Sequence, residues 1–559
     1  MGILLEGATI VDGSGRPGFK GDVAIEGSQI VAVGDVPESI ARRSERFDLD
    51  GLVLAPGFID SHTHYDPQVL WDPDLTPSCW HGVTTVVMGN CGFGIAPMRP
   101  EHRGKILRTL ENVEAMSLAA LEEGVDWSFE TFGEYLDLVD SLPLRANVAV
   151  LVGHTPVRLH VLGEEATERE ATEDEIAQQR ALVEDALRAG AIGFASSKTN
   201  VHVGEGGKPV PSRLASNAEI FELARALPAV GHGIMQFTWG PEFGLDDLIA
   251  LSNEIAPHPV TFTALLDQFT QPLQGRTPSE VLARIDESNA DLWPQVSGRP
   301  LVFQLTMMDP FPLAQGRPSF QEVVAAPRDQ RARFYADPSW RTWAKSELGP
   351  EWAARWARTT VQETTHHNEL RNGPSIAELA SRLGQDPFDV VADLALQDDL
   401  ETRFKIVMYN FDDKAVSALL RHPHTLINLS DAGAHASQLC DANFATWLLQ
   451  RWVRELGILS LEEAVYRLTE QPAHVYGLQG IGSVAPGFRA DLVAFDPETV
   501  GTDDIERVWD LPGGADRLIA HSRGVEHIWV GGVQSRLAGK DLPDGHAGVV
   551  VRGGKGGLS

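Results

Sequence analysis

Apolar and polar positions along this chain fall into two regimes. At both ends, short runs alternate with the period of two that a half-buried strand requires. Ile3-Leu4-Leu5, Ala8-Thr9-Ile10-Val11, Asp22-Val23-Ala24-Ile25 and Gln29-Ile30-Val31-Ala32-Val33 are such runs, punctuated by Gly, Asp and Pro. The pattern returns in Arg489-Ala490-Asp491-Leu492-Val493-Ala494-Phe495 and Val525-Glu526-His527-Ile528-Trp529-Val530-Gly531-Gly532. The two sets predict one small β-sandwich built from both chain ends, residues 1–56 and 476–559. Between them, short apolar runs alternate with helical patterns such as Glu173 to Ala189 and Asn217 to Ala226. That alternation signals a parallel sheet. Strands are expected near 52–60, 83–90, 147–153, 190–197, 233–238, 259–265, 300–306 and 425–430. Eight strands with intervening helices predict an α/β fold, a (β/α)8 TIM barrel over residues 57–475. The connection between the last two strands is far too long for one helix. Residues 310–400, rich in Trp, Arg and Pro, are expected to form an inserted cap-like subdomain.

The strand pattern also carries chemistry. The apolar run Leu52-Val53-Leu54-Ala55 leads into Gly57-Phe58-Ile59-Asp60-Ser61-His62-Thr63-His64. Side chains two apart in a strand point the same way, so His62 and His64 can aim two imidazoles at one point. In a parallel barrel the C-terminal strand ends form the active face. A metal ion is the natural occupant of such a point, although a lone His-x-His pair is also a common surface feature.

Composition narrows the class. The chain has 559 residues, 43% hydrophobic and 22% charged, as a globular protein does. Lys plus Arg is 46 against 78 Asp plus Glu, a formal net charge of −32. Such a surface repels phosphate backbones, so nucleic acid is excluded as a partner and a small-molecule substrate is expected. No apolar stretch is long enough for a membrane span, and the N-terminal segment has no signal-peptide pattern. Three cysteines, Cys79, Cys91 and Cys440, argue against a disulfide framework and for a reducing compartment, read as the cytoplasm. A homo-oligomer is a fair expectation.

With these residues in hand, the chain resembles the amidohydrolase superfamily, and within it the D-aminoacylase or N-acyl-D-amino-acid deacylase group. The resemblance covers nearly the full length. It is carried by Gly7-Ala8-Thr9-Ile10-Val11-Asp12-Gly13, Pro56 to Asp66, His81-Gly82-Val83-Thr84-Thr85-Val86-Val87-Met88-Gly89-Asn90-Cys91-Gly92, Leu429-Ser430-Asp431-Ala432-Gly433-Ala434-His435 and Pro486 to Val493. It implies a metal-dependent hydrolase of a non-peptide C–N bond, with an N-acyl amino acid as the expected substrate. By position, His62 and His64 match metal ligands, Cys91 matches the group's cysteine ligand, and Asp431 matches the carboxylate that touches metal and serves as general base. Imidazoles and a thiolate suit Zn²⁺. The ion would lower the pKa of its water from about 15.7 to about 7. Asp431 would take a proton from that water and pass it to the leaving nitrogen.

The chain also departs from the group's pattern. Histidines are expected from the fifth and sixth strands. Here Thr238 stands where the first should be, and Val260-Thr261-Phe262-Thr263 contains none. His232 and His258 begin these strands, on the opposite face. One Zn²⁺ per chain is therefore expected, held mainly by His62, His64 and Asp431, with Cys91 left without its partners. Lys198 ends the fourth strand, where other amidohydrolases carboxylate a lysine to bridge two metals. With little to bridge, it is read as a contact for a substrate carboxylate or solvent. His154 and His435, also near strand ends, are candidate substrate contacts, and His202 a weaker one. The Gly-rich loop Gly204 to Pro209 lacks a nucleotide-binding pattern, and His366-His367 reads as structural. A cyclic amide, lactone or ester substrate is one alternative. A non-catalytic barrel that binds a small molecule is another.

Overall fold

The computed structural model describes residues 2–270, 272–314 and 316–554. Eight parallel strands form its centre: Phe58–Asp60, Val83–Met88, Asn147–Gly153, Gly193–Ser197, Ile234–Thr238, Val260–Thr263, Leu292–Val296 and Leu426–Ile427, each beside the next. The two edges meet beyond a kink. Leu429–Ala432 pairs in parallel with His62–Thr63, and the His64 amide donates to the Ala432 carbonyl at 2.7 Å. The sheet thus curls into a TIM-like barrel. Its strands are rich in Val, Ile and Phe and nearly all buried, as a parallel sheet covered on both faces demands. The connecting helices are started by their own sequence. Thr172 with Glu175 and Thr277 with Glu280 form reciprocal capping boxes ahead of Glu173–Ala189 and Pro278–Ser288.

Two strand expectations are corrected. The seventh barrel strand is Leu292–Val296, not 300–306. Pro294 concealed it, because proline lacks an N–H donor and is normally kept out of central strands. Leu301–Thr306 is a strand, but it pairs antiparallel with Arg403–Tyr409, which also pairs with Thr359–Glu363. This three-stranded sheet brackets the segment 310–400 and shares its separate apolar core, which includes Phe320, Trp340, Trp352, Phe388 and Phe404. Residues before Gly57 are also not barrel. Val53–Pro56 lies antiparallel to Leu492–Phe495 in a nine-stranded sheet made by both chain ends. Gly57 is the crossing point between the two sheets, where a Cβ would lie 2.0 Å from Thr84 Oγ1.

The last described residues leave that sheet. Val549 and Val551 hydrogen-bond to Val148, and Val551 packs with Ile59, Ala149, Ile192, Ile234 and Tyr476. The tail thereby closes the N-terminal end of the barrel with apolar atoms. The polar strand ends are left at the other mouth.

Candidate metal centre

The first strand supplies His62 and His64, both buried, with ring centroids 5.4 Å apart. The second strand ends in a tight turn at Asn90–Gly92 that carries Cys91. The turn presses on its neighbours: a Cβ on Gly89 would lie 2.1 Å from the Leu151 carbonyl oxygen. The Cys91 amide donates to Gln236 Oε1 at 2.7 Å. Cys91 Sγ lies 3.5 Å from His62 Nε2, and Asp431 Oδ1 lies 3.1 Å from His62 Nε2 and 3.5 Å from His64 Nε2. Ligand atoms of His62, His64 and Cys91 all fall within 4.8 Å of one another. Cys91, Asp431 and His435 have φ of 58°, 51° and 49°, a left-handed conformation that costs a non-glycine residue about 1–3 kcal/mol and clusters at functional sites.

The electrostatics are those of a cation site. Burial pushes the His62 imidazole down, but Cys91 and Asp431 outweigh it and hold it up at about 10. Against burial, the two imidazoles bring the Cys91 thiol down to about 6 and hold the Asp431 carboxyl well below the usual range. A thiolate and a partly exposed carboxylate thus face two buried imidazoles, which is a donor set suited to Zn²⁺.

The tautomer of His62 is set from below. Its Nδ1–H donates to Gln295 Oε1 at 2.5 Å. Gln295 Nε2 donates to Thr261 Oγ1 and Tyr476 OH, both at 3.1 Å, and those hydroxyls donate to the carbonyls of Trp293 and Ser61. Nε2 is the atom left for a metal.

Three residues of this site were not found by sequence reasoning. Glu114 caps the helix Arg103–Val113, is 3% exposed, and places its carboxyl 3.7 Å from His64 Nδ1 and 3.8 Å from His435 Nε2. Burial, with Cys91 and Asp431 beside it, pushes that carboxyl up to about 8 against the pull of His64. No strand pattern marks a helix end, so no signal pointed to it. Gln295 sits in the strand that Pro294 hid. Gln236 could have been found, because it alternates with Thr238 on the fifth strand.

Of the candidate substrate contacts, only His435 reaches the cluster. Its amide donates to the Glu114 carbonyl at 2.6 Å, and burial holds its imidazole down to about 4. His154 is placed elsewhere: Nδ1 lies 2.8 Å from Ser196 Oγ and Nε2 3.1 Å from Glu219, which Arg158 clasps with two bonds. All three are fully buried, so both nitrogens of His154 are engaged within the wall. Lys198 likewise turns away. Its Nζ donates to the carbonyls of Arg213 and Ala215 at 2.8 Å, satisfying the ammonium with backbone. His202 bonds Ser197 Oγ at 2.7 Å and packs at a tilt against Phe93, which in turn packs against His64. His366 bonds Asp398 within the segment 310–400, and His258 bonds the Gly233 carbonyl.

The family model that matches this chain, described as amidohydrolase family, spans residues 45–535. The chain belongs to the amidohydrolase family. Among curated relatives of this amidohydrolase, D-aminoacylase of Alcaligenes xylosoxydans xylosoxydans is 31% identical over 89% of this chain and 88% of its own. N-acyl-D-aspartate deacylase of the same organism is 30% identical over 95% and 91%. Among solved structures, N-acyl-D-glutamate deacylase from Bordetella bronchiseptica, complexed with zinc and a phosphonate inhibitor, aligns with a TM-score of 0.66 at 25% identity, covering 98% of this chain and 99% of its own. A D-aminoacylase structure concerned with a binuclear metal centre, one-metal activation and second-metal attenuation, aligns equally well at 27% identity. In this amidohydrolase the fifth and sixth strands offer Gln236, Thr238, Thr261 and Thr263 to the barrel mouth rather than histidine.

Proposed function

We propose that this amidohydrolase cleaves the amide bond of N-acyl amino acids, with one Zn²⁺ per chain held by His62, His64, Cys91 and Asp431. The observation that carries this reading is the convergence of two buried imidazoles and a buried thiol at one point of the barrel mouth, with the partly exposed Asp431 carboxylate against both imidazoles. When bound there, Zn²⁺ supplies positive charge that polarises a carbonyl and acidifies a nearby water.

The rest falls to the chain. Asp431, kept ionised by two imidazoles, can accept a proton from water and return it to the leaving nitrogen. An amine leaves poorly unless protonated, so this shuttle is required. Gln295 holds His62 in one tautomer, and Gln236 holds the Cys91 turn. Glu114 and His435 border the cluster on the side of the helix Arg103–Val113, and His435 is proposed to contact substrate.

A cavity of about 1510 Å³ is lined by Pro67, Ala115, Gly433 and Ala436, chain neighbours of the site residues, and by residues of the segment 310–400, and is proposed as the substrate pocket. That segment is proposed as a cap, and the nine-stranded sheet of both chain ends as the β-sandwich module of the family. All three cysteines are buried and unpaired, which fits a reducing compartment, and a cytoplasmic location is proposed. No helix among the described residues is long and apolar enough to cross a membrane.

Asp431→Asn tests the mechanism. Turnover of a panel of N-acetyl amino acids of both hands should fall by at least about 100-fold, the low end for a lost acid–base group, with the fold retained. A full-rate Asp431→Asn enzyme would sink the mechanism.

A further inference from the structure

The cavity has a lining of mixed charge, in which the carboxylates of Glu111, Asp309, Glu351, Glu401 and Asp516 stand among arginines. Five arginines line the cavity: Arg317, Arg328, Arg331, Arg355 and Arg403. Four of them have a carboxylate within reach. Arg317 has Glu351 at 3.5 Å, Arg328 and Arg331 share Asp309 at 2.9 and 2.7 Å, and Arg403 has Glu363 and Asp516 at 3.4 Å. Arg355 is the exception: among the described residues its polar contact is Tyr409 OH at 3.5 Å, and no carboxylate lies within 4 Å of it. Its guanidinium is nevertheless well placed. The Cζ sits 4.9 Å from the centroid of the buried Trp352 ring and 5.5 Å from that of Tyr409. Arg317 approaches the same Trp352 ring at 5.4 Å, so two guanidiniums share one aromatic plate. Phe269 packs on Tyr409 at 5.0 Å and steadies the far side.

Stacking on aromatic faces fixes a guanidinium plane without using its N–H groups. Arg355 therefore presents a pre-oriented fork of donors to the cavity, next to a second positive charge. A planar fork matches a carboxylate, and a charge-assisted bidentate pair is among the stronger polar contacts. In a chain of net charge −32, a cavity guanidinium with no carboxylate within 4 Å favours an anionic group at that point of the lining, although carboxylates stand elsewhere in it.

We propose that Arg355, stacked on Trp352 and Tyr409 with Arg317 beside it, is a binding residue for the carboxylate of the substrate. The substrate class that this selects is an acylated amino acid with a free carboxylate, as against its ester or amide. The assignment rests on the proposed amide hydrolysis for its catalytic meaning, and on the cavity alone for binding.

Two measurements separate these. The first is calorimetric titration of the intact enzyme with glutarate and, as the neutral control, glutaramide. Arg355→Met should weaken glutarate binding about 10- to 100-fold, the range for a lost hydrogen bond to a charged group. Arg355→Lys should recover part of it, and glutaramide should bind both variants as it binds the parent. The second is steady-state kinetics on N-acetyl-leucine and its carboxamide. Arg355→Met should raise KM for the acid, leave kcat within a few-fold, and leave KM for the amide unchanged. Equal weakening of both probes, or glutarate binding unchanged in Arg355→Met, overturns the assignment. If Arg355→Met fails to fold, Tyr409→Phe and Arg355→Gln carry the same comparison. Glutarate discrimination in an enzyme that cleaves no N-acyl amino acid would refute the proposed function and leave the carboxylate subsite standing.

Discussion

Replacing Gln295 by leucine isolates the groups beneath the metal centre. The two side chains are similar in volume, so the change leaves little cavity. What is lost is the acceptor for His62 Nδ1, at 2.5 Å, in a region where His62 is 1% exposed and water cannot replace it. An orphaned buried donor costs about 1–3 kcal/mol. His62 can recover part of that only by rotating or by moving its proton to Nε2, and either response removes Nε2 from the cluster. At about 1.4 kcal/mol per tenfold, the penalty corresponds to metal binding weaker by about 5- to 150-fold. That brackets the roughly 10- to 100-fold typical of partners that orient a metal-bound histidine. Thr261 and Tyr476 limit the collateral damage, since each retains its bond to a backbone carbonyl. The assay is competition for Zn²⁺ against a chromophoric chelator, with near-ultraviolet circular dichroism as the control for folding. Gln295→Glu keeps an acceptor at the same place and should bind metal far closer to the parent. If Gln295→Leu folds normally and binds Zn²⁺ within about twofold of the parent, far less than an orienting partner should cost, then Gln295 does not orient a ligand and His62 is not held as described.

Other outcomes follow from the same geometry. Cys91→Ser should lower metal retained per chain after dialysis, measured by inductively coupled plasma mass spectrometry. Unchanged retention would make Cys91 a bystander. Chelation should abolish hydrolysis and one equivalent of Zn²⁺ should restore it, whereas a requirement for two would show a second site. His81 is fully buried, with Nε2–H donating to the Ala520 carbonyl at 2.9 Å, and burial holds its pKa down to about 3. Its unfolded value is about 6.5, so the stabilisation is fully present above that pH and is lost as pH falls from about 6.5 toward 3. His81→Gln should therefore lose less stability than the parent between pH 6.5 and 4.5, by up to about 2–3 kcal/mol. Denaturant midpoints at the two pH values read this directly, and equal losses would show that His81 is not held neutral.

The chain's own pattern determined the alternation that builds the barrel, because burial on both faces requires continuous apolar strands separated by helices. It also determined the candidate ligands His62 and His64, since a spacing of two in a strand fixes a shared direction. Cys91 and Asp431 were legible through motif order. Other features depended on tertiary structure. Leu301–Thr306 and Leu292–Val296 are both strand-like segments, and only their pairing tells the barrel strand from the one outside it. Lys198 and His154 stand at strand ends as expected, yet a strand end fixes no side-chain direction once loop carbonyls and a buried glutamate compete for the same donors. Glu114 reaches His64 from a helix end, and Gln295 reaches His62 from more than two hundred residues away. Such contacts depend on how the closed barrel brings distant backbone together, which local periodicity does not encode.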